Sequence, residues 1–233
     1  MKAPALKIAT YNLQKCVGLD LRRRPGRTLA VLSALAPDVA VLQEADKRLP
    51  PRPAALPHGM AEAEGWRVVD FGEPAGSLGW HGNAMLVRDT VTVRATGHIE
   101  LPGLEPRGAV RADLDTVIGT LRVVGAHLGL IRRYRLLQLA AIRRALAGLD
   151  PVPTVIAGDF NEWGDSAPLQ AQLGPYRLLP PVPSYPAPRP VGALDRIAVS
   201  AGLEAETPRT HLMQPARIAS DHLPLWTVLR AAG

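Results

Sequence analysis

Short apolar runs, each handing over to a polar cluster, set the rhythm of this chain. Leu6 to Leu13 (LKIATYNL) alternates enough to predict a strand with Asn12 at its exit. Val39 to Leu42 is too short for a helix and follows a turn signal, so it predicts a buried strand running into Gln43 and Glu44. Thr154 to Ala157, admitted by Pro151 and Pro153, runs into Gly158-Asp159-Phe160-Asn161. Ala193 to Val199 is a further candidate strand, and Leu225 to Leu229 follows Ser220-Asp221-His222. Trp66 to Phe71, Asn83 to Arg88, Val91 to Ile99, Val110 to Leu114 and Val117 to Ala126 also read as strands, with Asp115 turning the chain between the last two.

Helical spacing of apolar residues marks two segments. Arg27 to Leu35 is one, ended by Pro37-Asp38. Ile131 to Leu149 is the other: Leu136, Leu139, Ala140, Ile142, Leu146 and Leu149 share a face, with arginines opposite. The proline-rich stretches Pro50 to Pro57 and Pro180 to Pro190 read as loops, the second lying on the surface. No repeat or long linker divides the chain, which predicts a single domain over residues 1–233. Strands and helices interleave while some strands are joined by tight turns. That predicts an α/β fold of mixed sheets covered by helices, not a purely parallel one.

Composition narrows the class. With 233 residues, 47% hydrophobic and 21% charged, the chain is long and apolar enough for a large core. No apolar run approaches the roughly 20 residues of a membrane span, and Met1 to Lys7 lacks the apolar core of a signal peptide. A cytoplasmic location is the expectation. Cys16 is the only cysteine, so no intramolecular disulfide or thiolate-rich metal site can form, and the residue reads as filler beside the first strand. The net charge of +6 comes mainly from arginine, with local runs at Arg22-Arg23-Arg24 and Arg132-Arg133-Tyr134-Arg135. Either run is a solvated face or part of a rim that attracts phosphate.

The polar clusters carry the chemistry. Asp159 and Asn161 are two apart, so an extended segment presents both to one side, and Gly158 before them leaves room for close backbone approach. A carboxylate beside a carboxamide can hold a water and a phosphate oxygen together, although Gly-Asp and Asn are also ordinary turn residues. Glu44 after a buried strand suits a hard cation such as Mg²⁺, which usually takes one or two protein carboxylates. Asn12 is placed to add an amide oxygen there, or to bind phosphate. Asp221 and His222 are neighbours that a strand would point to opposite sides, and Asp195 is the candidate acid to hold the His222 ring. His127 ends a strand and is placed to donate to a phosphoryl oxygen.

Taken together, Thr10-Tyr11-Asn12, Gln43-Glu44, Gly82-Asn83-Ala84, Ala126-His127-Leu128, Gly158-Asp159-Phe160-Asn161, Leu194-Asp195-Arg196-Ile197 and Ser220-Asp221-His222-Leu223-Pro224 resemble the motifs of the endonuclease/exonuclease/phosphatase superfamily, in family order. The resemblance spans residues 6 to about 229 and is nearest to small stand-alone bacterial members. It implies a DNase I-like four-layer α/β sandwich, two mixed β-sheets face to face with helices outside, and hydrolysis of phosphoesters with Mg²⁺ or Mn²⁺. Carried over position by position, it implies Glu44, Asn12 and Asp221 as metal ligands. Asp159 and Asn161 would handle water and phosphate, His222 with Asp195 would form an acid/base pair, and His127 would donate in the transition state. Asn83 and Arg107 are implied at the substrate phosphate.

Departures from the family patterns narrow the substrate. Ala126-His127-Leu128 stands where abasic-site endonucleases of the exonuclease III type carry Asn-x-Tyr-x-Pro, and Glu162-Trp163 where inositol polyphosphate 5-phosphatases carry Tyr-Arg. The expected function is a phosphodiesterase acting on nucleic acid or a phospholipid head group. Alternatives are a phosphomonoesterase on a small soluble ester, or a non-catalytic binding module. No membrane span or protein partner is expected.

Overall fold

The computed structural model describes residues 3–46, 53–72 and 76–232. The first strand, β1 (Leu6–Asn12), lies between β2 (Val39–Gln43), its parallel neighbour, and the antiparallel C-terminal strand β13 (Leu225–Ala231). β4 (Ala84–Val87) and β3 (Arg67–Val68) extend the sheet beyond β2, while β11 (Leu203–Ala205) and β12 (Arg209–Thr210) pair with β13. The second sheet runs in the order β5 (Thr92–Glu100), β6 (Gly108–Thr116), β7 (Gly119–His127), β8 (Thr154–Asp159), β10 (Asp195–Val199), β9 (Arg177–Leu178). β7 and β8 are parallel and the other pairs in this sheet antiparallel, so both sheets are mixed, as the sequence predicts.

Three apolar layers hold these sheets together. Between them, Ile8, Val41 and Met85 from one meet Val110, Val123, Val155 and Ile197 from the other, all essentially inaccessible to water. Outside the first sheet, α1 (Pro25–Leu35) and α2 (His58–Ala63) cover Ala40, Leu42 and Leu86 with Leu29, Leu32 and Ala61. Outside the second, α3 (Arg132–Ala147) and α4 (Ala167–Leu173) cover Val124 and Ile156 with Leu139, Ile142 and Leu169. The result is a four-layer α/β sandwich of the DNase I-like type. Each fully buried aliphatic side chain contributes roughly 1.5–3 kcal/mol, so the three layers together dominate the favourable side of folding. β2 is buried on both faces, which is why its sequence is a continuous apolar run without alternation.

Several sequence expectations are corrected here. Asp115 lies inside β6 and takes an ion pair from Arg94; the turn falls at residues 117–118. Leu149 is outside α3 and exposed, and Arg135 lies on its buried face. The Trp66 to Phe71 strand shrinks to Arg67–Val68, and α2, α4 and the four-residue helix α5 (Ala216–Ala219) are too short for a clear periodic signal. The stretch from Pro180 to Pro190 is not simply a surface loop. Ser184 and Ala187 are fully buried, and Tyr185 bridges to Gly192. The first proline-rich stretch falls partly outside the described residues. Cys16 is buried and burial raises its thiol pKa, in keeping with filler.

Register is what brings the chemistry to one edge. His127 pairs with Asp159 across β7 and β8, and Asp159 pairs with Asp195 across β8 and β10, so the three form one row across the second sheet. In the first sheet Asn12 is level with Gln43, one residue before Glu44. A slip of one residue in any of these pairings would turn the side chain to the other face. Gly158 makes the tightest fit possible: a Cβ there would lie 1.8 Å from the Ala126 carbonyl oxygen on β7. Gly158→Ala is therefore expected to destabilise the protein by at least about 2 kcal/mol. Urea unfolding would measure this as a lower midpoint at unchanged slope.

Candidate active site

Asp159 is the hub of the rim. It is buried, and its Oδ2 accepts a hydrogen bond from Asn12 Nδ2 at 3.1 Å. The same oxygen lies 3.4 Å from His127 Nε2 and 3.8 Å from His222 Nε2. Its other oxygen accepts the Asn161 backbone N–H at 2.9 Å. Burial, followed by the negative charge of Asp195, pushes its pKa well above the usual carboxylate range, against the opposing pull of His222 and Asn12.

Asp195 holds His222 as the sequence predicts, with Nδ1 and Oδ2 2.8 Å apart. Burial alone would lower the His222 pKa, but the charge and hydrogen bond of Asp195, with Asp159 and Asp221 adding to them, raise it to about 10. Ser184 Oγ donates to the same Asp195 oxygen at 2.6 Å. Ser184 carries no signature in sequence, and it arrives from the loop expected to lie on the surface. Asp221 and His222 sit in a bend before β13, not on a strand, and the His222 backbone N–H donates to Ser220 Oγ at 3.2 Å. Ser220 Oγ in turn reaches the Asn12 carbonyl at 2.7 Å, tying the last motif to the first.

Glu44 and Asp221 form a second acidic pair. Burial and then the charge of Glu44 raise the Asp221 pKa, while His222 opposes the shift. Lys15 pairs with Glu44; nothing in the sequence singled it out. Hard oxygen donors whose charges repel are a fitting place for a divalent cation, and the nearby Asn12 Oδ1 already accepts the Gln14 N–H at 3.0 Å. Asp159, Asp195 and His222 also present ligand atoms all within 4.8 Å of one another. There Asp195 Oδ2 is already engaged by Ser184 and by the ring it orients, an arrangement better suited to proton handling than to ligation.

Other expected residues take different places. Asn161 is in a left-handed conformation (φ 53°), and its amide donates to the Leu128 carbonyl at 2.8 Å. It does not share an extended face with Asp159, since β8 ends first. Asn83 is fully buried and its amide donates to the Gly108 carbonyl at 2.9 Å, bridging the two sheets. Arg107 is nearly buried, with both Nε and Nη2 donating to Glu105. Arg135 pairs with Glu162 at 3.0 Å, so the basic run at 132–135 is only partly a solvated face. Trp163 was visible only as a departure from a family pattern. Its ring makes an edge contact with Tyr185, which in turn tilts against His222 at 4.9 Å.

Backbone strain gathers here too. Gln14, Lys15, Cys16, Glu44, His81 and Asn161 all adopt positive φ, unusual for residues with a Cβ, and all lie at or near the strand ends that carry the site.

This chain belongs to the endonuclease/exonuclease/phosphatase family, whose model matches residues 9–222. Members are generally hydrolytic enzymes, among them nucleases, phosphodiesterases and phosphatases, and typically use divalent metals. It is 32% identical over 157 residues to YbhP of Escherichia coli, itself uncharacterised, a match covering 63% of this chain and 62% of that protein. The chain thus spans about three fifths of the curated relative it matches. Among solved structures, a functionally unknown conserved protein from Enterococcus faecalis superimposes with a TM-score of 0.78 at 20% identity, covering 97% of this chain and 100% of the other. An endonuclease/exonuclease/phosphatase from Beutenbergia cavernae does so with a TM-score of 0.71 at 22% identity, covering 99% and 72%.

The geometry around His222 makes a measurable prediction. Its folded pKa is raised, so the stability its charge contributes is complete below about 6.5 and is lost as pH climbs through about 10. In chelator-treated protein, NMR titration should place His222 well above an ordinary histidine. Asp195→Asn should bring it down by roughly one unit or more. An unchanged titration in the variant would remove Asp195 as the cause.

Proposed function

We propose that the protein is a divalent-metal-dependent phosphodiesterase, hydrolysing a phosphodiester of nucleic acid or of a phospholipid head group. The observation that carries this is the convergence on one carboxylate oxygen: Asp159 Oδ2 within 3.1–3.8 Å of Asn12, His127 and His222. A network held this tightly and buried this deeply is a place to position a water and a phosphate. Glu44 and Asp221, with Asn12 beside them, would hold the Mg²⁺ or Mn²⁺, which when bound supplies positive charge against the anionic phosphate.

In this reading water bound at Asp159 attacks phosphorus. A bond forms from its oxygen to phosphorus as the bond to the leaving oxygen breaks, and the His222 imidazolium protonates the leaving alkoxide. The water's proton passes to Asp159, where burial already holds proton affinity high for the carboxylate, and from there restores the His222 cation. Asp195 and Ser184 keep the His222 ring oriented. His127 donates to the phosphoryl oxygen that gains charge, the kind of electrostatic help that is usually the largest catalytic contribution. Asn161 fixes the backbone on which Asp159 turns toward the substrate.

Hydrolysis of bis-p-nitrophenyl phosphate tests the proposal. Activity is expected with Mg²⁺ or Mn²⁺ and none after EDTA. His222→Ala should lower kcat by at least ~100-fold, the low end for removing a positioned acid/base group. Equal rates with and without chelator would dispose of the metal-dependent mechanism. Ser184→Ala should lower kcat by about tenfold with KM little changed, because Ser184 acts only through the orientation of Asp195.

A further inference from the structure

The six segments 13–24, 211–224, 179–194, 160–166, 128–131 and 101–107 leave or enter the strand ends that carry the site, and they touch in that order. The Leu19 N–H donates to the Ile218 carbonyl at 3.1 Å, and Arg217 Nη1 to the Pro188 carbonyl at 3.0 Å. The Trp163 ring packs where a Cβ on Gly192 would lie, 2.9 Å away. Glu162 pairs with Arg135, just past the start of α3, and the Leu130 N–H reaches Glu105 Oε1 at 3.2 Å. The segments therefore form one continuous arc around the mouth.

Every segment of that arc exposes a large apolar side chain. Leu21, Met213, Val191, Trp163, Leu130 and Leu104, one from each, are between 63% and 87% accessible. Among the described residues ten of the fourteen exposed large hydrophobics lie on the arc, although it is a minor part of the chain. Single exposed leucines are ordinary, but this concentration around one opening is not. Exposed arginines sit on or beside the same segments: Arg22 and Arg24, Arg189, and Arg132 and Arg133 at the start of α3.

We propose that this arc is a membrane-docking surface that seats the mouth of the site on an anionic phospholipid bilayer. The proposal deepens the phosphodiesterase reading, and rests on it, only in naming a lipid head group as what the seated site reaches. Aliphatic side chains can enter the boundary between head groups and acyl chains, a tryptophan favours that depth, and arginines beside them meet lipid phosphates. Nucleic acid would instead call for aromatic platforms on which bases stack. The arc offers one exposed aromatic ring, Trp163, against nine exposed aliphatic side chains.

The test uses the purified chain with phosphatidylglycerol vesicles, phosphatidylcholine vesicles and a single-stranded oligonucleotide. Co-sedimentation is expected with phosphatidylglycerol and much less with phosphatidylcholine. Tryptophan emission should shift to the blue on binding, and Trp163→Phe should abolish the shift, since Trp66 and Trp80 are buried and Trp226 lies under Lys7 and Arg209. Leu130→Ser with Met213→Ser should weaken vesicle binding at least ~10-fold while hydrolysis of bis-p-nitrophenyl phosphate stays within about twofold. Val117→Ser, exposed in the turn between β6 and β7 at the opposite end of the sheet from the arc, is the control. Failure to sediment, equal loss in the control, or oligonucleotide binding that outcompetes the vesicles would overturn the proposal. Vesicle binding with no hydrolysis of the soluble ester would leave the docking surface standing and remove the enzymatic reading instead.

Discussion

A buried carboxylate cannot sit in a protein interior without partners, and much of the rim follows from meeting that need at Asp159. Isolated, its charge would cost several kcal/mol of lost hydration. The protein answers with Asn12 from the facing sheet, His127 from the neighbouring strand, the Asn161 backbone, and His222 from the loop before the last strand. Each partner comes from a different part of the chain, so one charge couples the register of both sheets to the docking of the C-terminal loop. Asp195, paired to Asp159 across the sheet, would make the problem worse; His222 between them relieves it.

This arrangement links stability to reactivity. Burial and the neighbouring Asp195 raise the proton affinity of Asp159 while the partners that make its charge tolerable pull the other way, and the same two carboxylates raise the proton affinity of His222. Positive φ at Glu44, Asn161 and the Gln14–Cys16 turn places local strain at the same strand ends, held there by the surrounding packing. The three apolar layers supply that packing. Gly158 shows how small the tolerance is, since the β7 and β8 backbones leave no room for even a methyl group.

Outside the rim, the fold was largely legible. β2 and β8 were readable because both faces are buried and apolar runs are continuous, β1 because its residues alternate, and α3 because it is long enough to repeat its pattern. Short elements such as α4 and β9 owe their shape to what they pack against. Family motifs brought Asp159, Asp195, His127, His222 and Asn12 into view, and these five do meet. The same motifs singled out Asn83 and Arg107, whose hydrogen bonds to Gly108 and Glu105 no local pattern foretells.

The sequence by itself determined the order of the longer strands and helices, the clusters at their ends and the family, because these depend on local periodicity and on motif order along the chain. Tertiary structure alone decided that Ser184 supports Asp195, that Lys15 faces Glu44, that Arg135 is buried against Glu162, and that exposed apolar residues from six loops form one arc. Those facts join residues far apart along the chain through register and loop packing, and no local pattern of residue types encodes such distances.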